Sequence, residues 1–438
     1  MKDFNLAGMI KTGTLIWKKI KTTLQSHWVR IKPVFQKNGD LLLFALAIAV
    51  LASVLINMIN LKDNKVIKPP EPATVVFTQW WQDNLEKETL RNLAEEFESL
   101  YSDIKIVIKD RSYEELRNDL FHPSEAGFPG DVLALDPLWV PELIEREIIE
   151  QGNEAPFLSF INVLYYNIEI LKEAGFAMPP KNRNEFTNCL KAITAREKNR
   201  RGLAMDNKSS RWIHDDIFPW IWSAGAQLIT EGKPSVNTRP VVESLSYLAS
   251  LNKEGLIIPG GQNGNKQDNF ISGKAAFMIA PSSEIALIRE YMGDDAFGIS
   301  SIPSPDNYAG RAFHASTGWT IGVNSASLHK EEALLFAGFL SEKESLLSEK
   351  AHAIPGNGNL LFTRDPFYSK LWDISIAAEA APDFRGGDAR LSASSSGVPW
   401  IKLEKIFNEE LSALFEEKSS AEKTAAAIQE KWERSTRQ

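Results

Sequence analysis

The sequence lacks most of the residues from which catalytic, metal-binding and disulfide-bonded sites are built. Cys189 is the single cysteine among 438 residues, which excludes an intramolecular disulfide and a cysteine-rich metal site. The six histidines are scattered, and no pair has metal-ligand spacing. No phosphate-binding loop, zinc-protease motif or serine-hydrolase elbow is present. We therefore expect no enzymatic activity and no cofactor.

Beyond the N-terminal segment the chain lacks an excess of basic residues, and acidic residues outnumber them. Residues 1–40 hold eight Lys or Arg and two acids, a net charge of +6, whereas the remainder holds 41 bases and 55 acids, a net charge of −14. An acidic surface disfavours nucleic-acid binding. The run from Leu41 to Ile59 carries no charge and would form a helix of about 28 Å, roughly one bilayer core.

This charge pattern predicts a single-pass membrane protein. Residues 1–40 are expected to be a cytoplasmic basic segment and residues 41–59 an uncleaved transmembrane signal anchor. The acidic remainder would then face the periplasm or the cell exterior. A buried core helix is the alternative interpretation of the apolar run. Residues 60–73 include Pro69, Pro70 and Pro72 and predict a stiff, extended linker.

The body of the chain has an α/β pattern. Hydrophobic periodicity predicts alternating elements: strand 74–77, helix 90–100, strand 104–108, helix 113–121 and strand 132–135. Alternation of this kind builds a parallel sheet that binds ligands beyond the carboxyl ends of its strands. Further strands are predicted at 275–279 and 319–323, and Asn184 is a candidate cap of a helix that buries Phe186 and Leu190.

Aromatic and polar side chains follow the predicted strand ends at 78–83 and 136–139. Indole rings cover the apolar face of a sugar, whereas carboxylate, amide and guanidinium groups bond its hydroxyls. The chain contains 12 Trp, although core packing is the commoner role of a Trp. Candidate ligand-binding residues are Trp80, Trp81, Gln82, Asp83, Asp136, Trp139, Trp222, Glu284, Trp319 and Arg385.

Other interpretations of these residues stay open. Asp83 and Asp136 could cap helices, and Glu284 could simply favour a helix N-terminus. Trp222 shares a face with Trp220 only if that segment is extended. A hydrolase would need Asp83 and Asp136 roughly 5–10 Å apart, and an acidic aromatic box could instead bind a polyamine.

Five motifs in order resemble a known family. Val75–Trp81 is similar to its first strand and aromatic end, and Phe128–Val132 to its G-x-P-D-V turn. Leu164–Pro180 is similar to L-Y-Y-N-K-D-L-F-K-E-A-G-L-x-x-P-P, and Phe270–Met278 to F-x-x-G-K-A-A-M. Gly318–Ile321 followed by Glu331 completes the set. The chain thus resembles the extracellular sugar-binding proteins of ABC transporters, the family that includes maltose-binding protein.

The resemblance implies a periplasmic-binding-protein clamshell with two α/β lobes and no catalysis. Residues 74–160 and 279–318 would form the first lobe, and residues 161–278 and 319–438 the second, with crossings near Phe160, Met278 and Gly318. It also implies a monomer that closes on a carbohydrate and docks on an ABC permease. A sensor that reports the ligand to a membrane signalling partner is the competing function.

Overall fold

A computed structural model describes residue 50 and residues 72–85, 88–122, 130–137, 139–205, 213–259, 265–306, 318–355, 365–367, 369–371 and 400–436. The chain divides into two units, Met1–Glu71 and Pro72–Gln438, and everything below concerns the second. The predicted cytoplasmic segment, anchor and linker lie outside the described residues, apart from positions 50, 72 and 73. No helix within the described residues combines the length and apolarity needed to cross a membrane.

The strands of the second unit alternate with helices along most of the chain. The strands are β1 (Ala73–Gln79), β2 (Ile104–Asp110), β3 (Val132–Leu135), β4 (Ile149–Ser159), β5 (Asn162–Asn167), β6 (Arg201–Met205), β7 (Ile229–Thr230), β8 (Lys233–Pro234), β9 (Ile257–Pro259), β10 (Ala275–Pro281), β11 (Phe297–Ser300), β12 (Trp319–Asn324) and β13 (Ile354–Pro355).

Two short 3-10 turns, Trp81–Asn84 and Ser282–Glu284, follow β1 and β10. The α-helices are α1 (Thr89–Leu100), α2 (Tyr113–Phe121), α3 (Val140–Glu145), α4 (Ile168–Glu173), α5 (Arg183–Arg196), α6 (Ile213–Trp222), α7 (Arg239–Lys253), α8 (Lys266–Ile271), α9 (Ile285–Met292), α10 (Lys330–Glu342), α11 (Glu344–Lys350), α12 (Trp400–Phe415) and α13 (Ala421–Ser435).

The first lobe is built on a sheet with the strand order β13-β4-β12-β3-β1-β2. β1 pairs in parallel with β2 and β3, as the predicted β-α-β-α-β pattern requires. β2 lies at the edge, where Ile104 is buried and Val107 is exposed, which is the alternation expected of a half-buried strand. Helices α1 and α10 pack on this sheet through the rings of Phe97 and Phe336, 5.1 Å apart.

The second lobe has the strand order β11-β5-β10-β6-β9. Its central strand, β10, is buried at every residue from Ala275 to Ala280, since helices cover both faces of the sheet. The C-terminal helices α12 and α13 join its core. There the buried Trp432 donates its indole N–H to the carbonyl of Leu403 at 3.0 Å.

The strand pairing corrects part of the predicted lobe assignment. β10 and β11 pair within the second sheet, although residues 279–318 were expected in the first lobe. β12 pairs with β3 and β4 of the first sheet, although residues 319–438 were expected in the second. The predicted lobe assignment rests on the resemblance, whose motifs identify individual strands but not the sheet that each strand joins.

The positions of the crossings between lobes follow from the same pairing. β4 ends at Ser159 in the first sheet and β5 begins at Asn162 in the second, so the chain passes from one sheet to the other around Phe160. Met278 lies inside β10 and marks no crossing. The chain returns to the first lobe between β11 and β12, before Trp319. It passes to the second lobe again after β13, since β13 belongs to the first sheet and Phe367 to the core of the second lobe.

Candidate functional site

Four aromatic rings form a cluster, here called the aromatic wall, at the edge of the first sheet where its parallel strands end. Its members are Trp80, Trp81, Phe157 and Trp319. Trp81 follows β1, and Trp319 begins β12, which runs antiparallel to β3 and so starts where β3 ends. The two indoles stack with centroids 4.5 Å apart and planes at 9°. Phe157, near the end of β4, stacks on the other side of Trp81 at 5.7 Å. Trp81 and Trp319 are fully buried, so neither ring has a face open to a ligand.

Trp80 is the one member of this wall that is only partly buried. Its ring lies edge-on to the ring of Tyr113, with centroids 5.0 Å apart, and edge-on to the ring of Trp319, with centroids 6.2 Å apart. The indole N–H groups of Trp80, Trp81 and Trp319 are buried, and none has a hydrogen-bond acceptor in the described part of the chain. An unpaired buried donor is unfavourable, but the indole N–H group of Trp220 in the second lobe shares this state, so it does not by itself mark a binding site.

Asp136 lies just beyond the end of β3 and is held by a tyrosine from α2. The hydroxyl of Tyr113 donates to Asp136 Oδ2 at 2.8 Å. Burial, followed by the charge of Asp136, raises the pKa of Tyr113 well above its ordinary value. Trp139 is buried, with its ring 4.7 Å from that of Tyr113, so it packs behind the site. Sequence reasoning missed Tyr113 because the sequence pattern identifies it only as the first residue of a helix.

The second lobe contributes the turn after β10. Glu284 closes the 3-10 turn Ser282–Glu284 and lines a groove of about 620 Å³ together with Asp268 and Tyr291. Burial, together with the charge of Glu284, raises the pKa of Tyr165, whose hydroxyl donates to the carbonyl of Pro281 at 2.8 Å. Glu284 therefore lies at the expected strand end, facing a groove on its own lobe.

Trp222 lies away from the sheet edges, in the core of the second lobe. The segment is helical, not extended, and the ring is 1% exposed and 5.3 Å from that of Phe218. Its burial assigns it to packing, a correction of its predicted ligand contact. Gln82 and Asp83 lie on the turn after Trp81, but their side chains, like all of Arg385, lie outside the description.

The two lobes meet through a small hydrogen-bonded junction. On the second-lobe side, the backbone N–H of Ser282 donates to the carbonyl of Ile161 at 2.8 Å and so continues the pairing of β5 with β10. The Ser282 hydroxyl donates to the carbonyl of His352 at 2.5 Å and accepts from the N–H of Ile161 at 3.3 Å. The turn Trp81–Asn84 of the first lobe also lies near α9 of the second. Within the described residues, no group of acidic, His or Cys side chains could hold a metal ion.

Comparisons with known proteins identify a family and several relatives. A family model described as "bacterial extracellular solute-binding protein" matches residues 83–346. A "probable ABC transporter-binding protein" of Deinococcus radiodurans is 25% identical over 244 residues, which are 52% of this chain and 58% of the relative. The sn-glycerol-3-phosphate-binding periplasmic protein of Pectobacterium atrosepticum is 27% identical over 206 residues, 43% of this chain and 44% of the relative. The chain thus spans about half the length of these curated relatives.

Solved structures share the fold. One is the GacH receptor of Streptomyces glaucescens, solved unliganded and in complex with acarbose. It superposes with a TM-score of 0.68 at 18% sequence identity, covering 84% of this chain and 99% of the receptor. Identity this low shows the fold alone.

Proposed function

The chain belongs to the family of bacterial extracellular solute-binding proteins, and we propose that it captures a sugar or oligosaccharide between its two lobes and delivers it to an ABC importer. The observation that carries this proposal is the aromatic wall. Trp80 offers a partly buried ring, and the Asp136 carboxylate lies beside it, since Tyr113 contacts both. A sugar supplies both a C–H face for the ring and hydroxyls for the carboxylate.

The remaining predicted site residues are proposed to complete this contact surface. Gln82, Asp83 and Arg385 carry polar groups that suit hydroxyls, and Asp136 is fixed in orientation by Tyr113 at 2.8 Å. Glu284 would approach the ligand from the second lobe. Similarity in fold to a receptor solved with acarbose supports a saccharide ligand.

Binding is proposed to act through lobe closure. The hydrogen bond from Ser282 of the second lobe to His352, which precedes β13 of the first, holds the two lobes together at one point. Motion about that point would open or close the opposite side. A ligand that touches both lobes binds the closed form more tightly and so shifts the population toward it. The closed form, as a monomer, would then be recognised by the permease.

The N-terminal segments are proposed to hold the protein at the membrane. The basic residues before position 41 and the uncharged run up to Ile59 suit a cytoplasmic end followed by an anchor. Tethering would raise the concentration of the folded lobes near a membrane permease. Fractionation of cells that express the full chain and a chain starting at residue 72 tests this: only the full chain is expected in the membrane fraction.

A thermal-shift panel tests the ligand class. A ligand that binds only the folded state at 100 times its Kd stabilises that state by about 2.7 kcal/mol. Glucose, maltose, maltotriose and chitobiose are compared with spermidine and glycerol 3-phosphate. We expect at least one neutral saccharide to raise the Tm. A rise with spermidine or glycerol 3-phosphate and with no saccharide would overturn the sugar assignment.

A further inference from the structure

Helix α2 carries a nearly buried arginine that has no bonding partner in the described part of the chain. Arg117 is 9% exposed, and within the described residues it forms no hydrogen bond or ion pair. Two other arginines of the same lobe do form ion pairs, Arg111 with Asp119 and Arg146 with Glu142. A guanidinium remains charged and offers five N–H donors, and those of Arg117 are not among the buried unpaired atoms of the described residues, so they are open to solvent and to a ligand.

Arg117 lies at the edge of the candidate site. It follows Tyr113 by four residues on α2, which places both side chains on one face of the helix. That face is directed to the end of β3, because Tyr113 bonds Asp136 and meets the ring of Trp80 at 5.0 Å. The positive charge of Arg117 acts on Tyr113 and partly opposes the rise in its pKa.

The opposite lobe brings a carboxylate to the same point. Glu404 lies on α12, whose apolar face packs in the core of the second lobe. It is 8% exposed, and its charge also acts on Tyr113 of the first lobe. A positive charge of the first lobe and a negative charge of the second therefore both act on Tyr113.

These charges favour an uncharged oxygen-rich group over an anion. A phosphate would approach Arg117 only beside the carboxylates of Asp136 and Glu404, which repel it. A hydroxyl can accept from a guanidinium and donate to a carboxylate at once. Resting on the function proposed above, we propose that Arg117 is a ligand-binding residue that donates to the hydroxyls of an uncharged sugar, and that the site discriminates against phosphorylated ligands.

Isothermal titration calorimetry with maltotriose and glycerol 3-phosphate as probes tests this inference. Arg117→Gln removes the charge and most of the donors, and Arg117→Lys keeps the charge but loses the planar fork. Arg146→Gln is the matched control, because Arg146 lies on the same lobe and its side chain is 45% exposed. Circular dichroism establishes that each variant is folded, and Arg117→Lys replaces Arg117→Gln if the latter does not fold.

We expect the Kd for maltotriose to rise at least tenfold in Arg117→Gln, less in Arg117→Lys, and under twofold in Arg146→Gln. Glycerol 3-phosphate should bind the wild-type protein more weakly than maltotriose. Unchanged maltotriose affinity in a folded Arg117 variant, or tighter binding of glycerol 3-phosphate, would overturn the inference and leave the proposed saccharide binding intact. A wild-type protein that binds no saccharide in the thermal-shift panel would overturn both.

Discussion

Removing Lys266 from the second lobe should destabilise the protein far more than removing an exposed lysine. Lys266 Nζ lies 2.8 Å from Asp216 Oδ1, and the two side chains are 10% and 1% exposed. At this separation and an effective dielectric constant near 20, the gross attraction is about 6 kcal/mol, much of it offset by desolvation. Lys266→Met strips Asp216 of this cation in a buried setting, a change that typically destabilises by about 3–5 kcal/mol.

Urea unfolding followed by circular dichroism measures this loss, since the free energy of unfolding is the product of the midpoint and the slope m. Lys191→Met is the matched control: Lys191 pairs with Glu254 at 2.7 Å on the same lobe, but the side chains are 51% and 43% exposed, and we expect a loss below about 1 kcal/mol. The double variant Lys266→Met/Asp216→Leu should regain most of the stability, because position 216 then no longer holds a buried carboxylate without its lysine. Equal losses in Lys266→Met and Lys191→Met would refute the reasoning.

Three further outcomes follow from the buried contacts. Trp80→Ala should weaken saccharide binding about tenfold or more by calorimetry, whereas Trp319→Ala should lower the free energy of unfolding by about 3–5 kcal/mol, more than Trp80→Ala does, because Trp319 is fully buried and Trp80 only partly; the reverse pattern would contradict the assignment of the Trp80 ring to the ligand. Burial raises the pKa of Cys189 to about 12, so the thiolate is scarce at pH 8 and Ellman's reagent should react in urea but not with the native protein; rapid native reaction would contradict the burial. Ser282→Ala removes the side-chain hydrogen bonds at the junction and should lower the free energy of unfolding in urea by about 1–3 kcal/mol. An unchanged urea midpoint would contradict this.

Local patterns in the sequence predict most strands and helices of the body. The alternation of Ile104, Ile106 and Ile108 predicts β2, and the apolar run from Ala275 predicts β10, because side-chain period follows burial. The predicted concentration of aromatic and acidic residues at strand ends is likewise observed around Trp80 and Asp136. These features depend on residues near one another in the chain.

Features that depend on distant residues were not predictable. The helix cap predicted at Asn184 is two residues away, at Asn182, whose side chain accepts from the N–H of Glu185; either asparagine satisfies the local rule. The burial of Trp319 depends on its stack with Trp81, more than 200 positions earlier in the chain. Arg117 gives no signal in the sequence, because its importance lies in the absence of a partner among the described residues.

Closure of the two lobes on a saccharide is the central claim, and a distance between the lobes measures it directly. Spin labels at Leu328→Cys in the first lobe and Tyr291→Cys in the second occupy positions that are 93% and 67% exposed, and the buried Cys189 should remain unlabelled. Double electron–electron resonance is recorded with and without the saccharide that raises the Tm. We predict that the ligand moves the distance distribution to one narrower, shorter population, and an identical distribution at saturating ligand would contradict the clamshell mechanism.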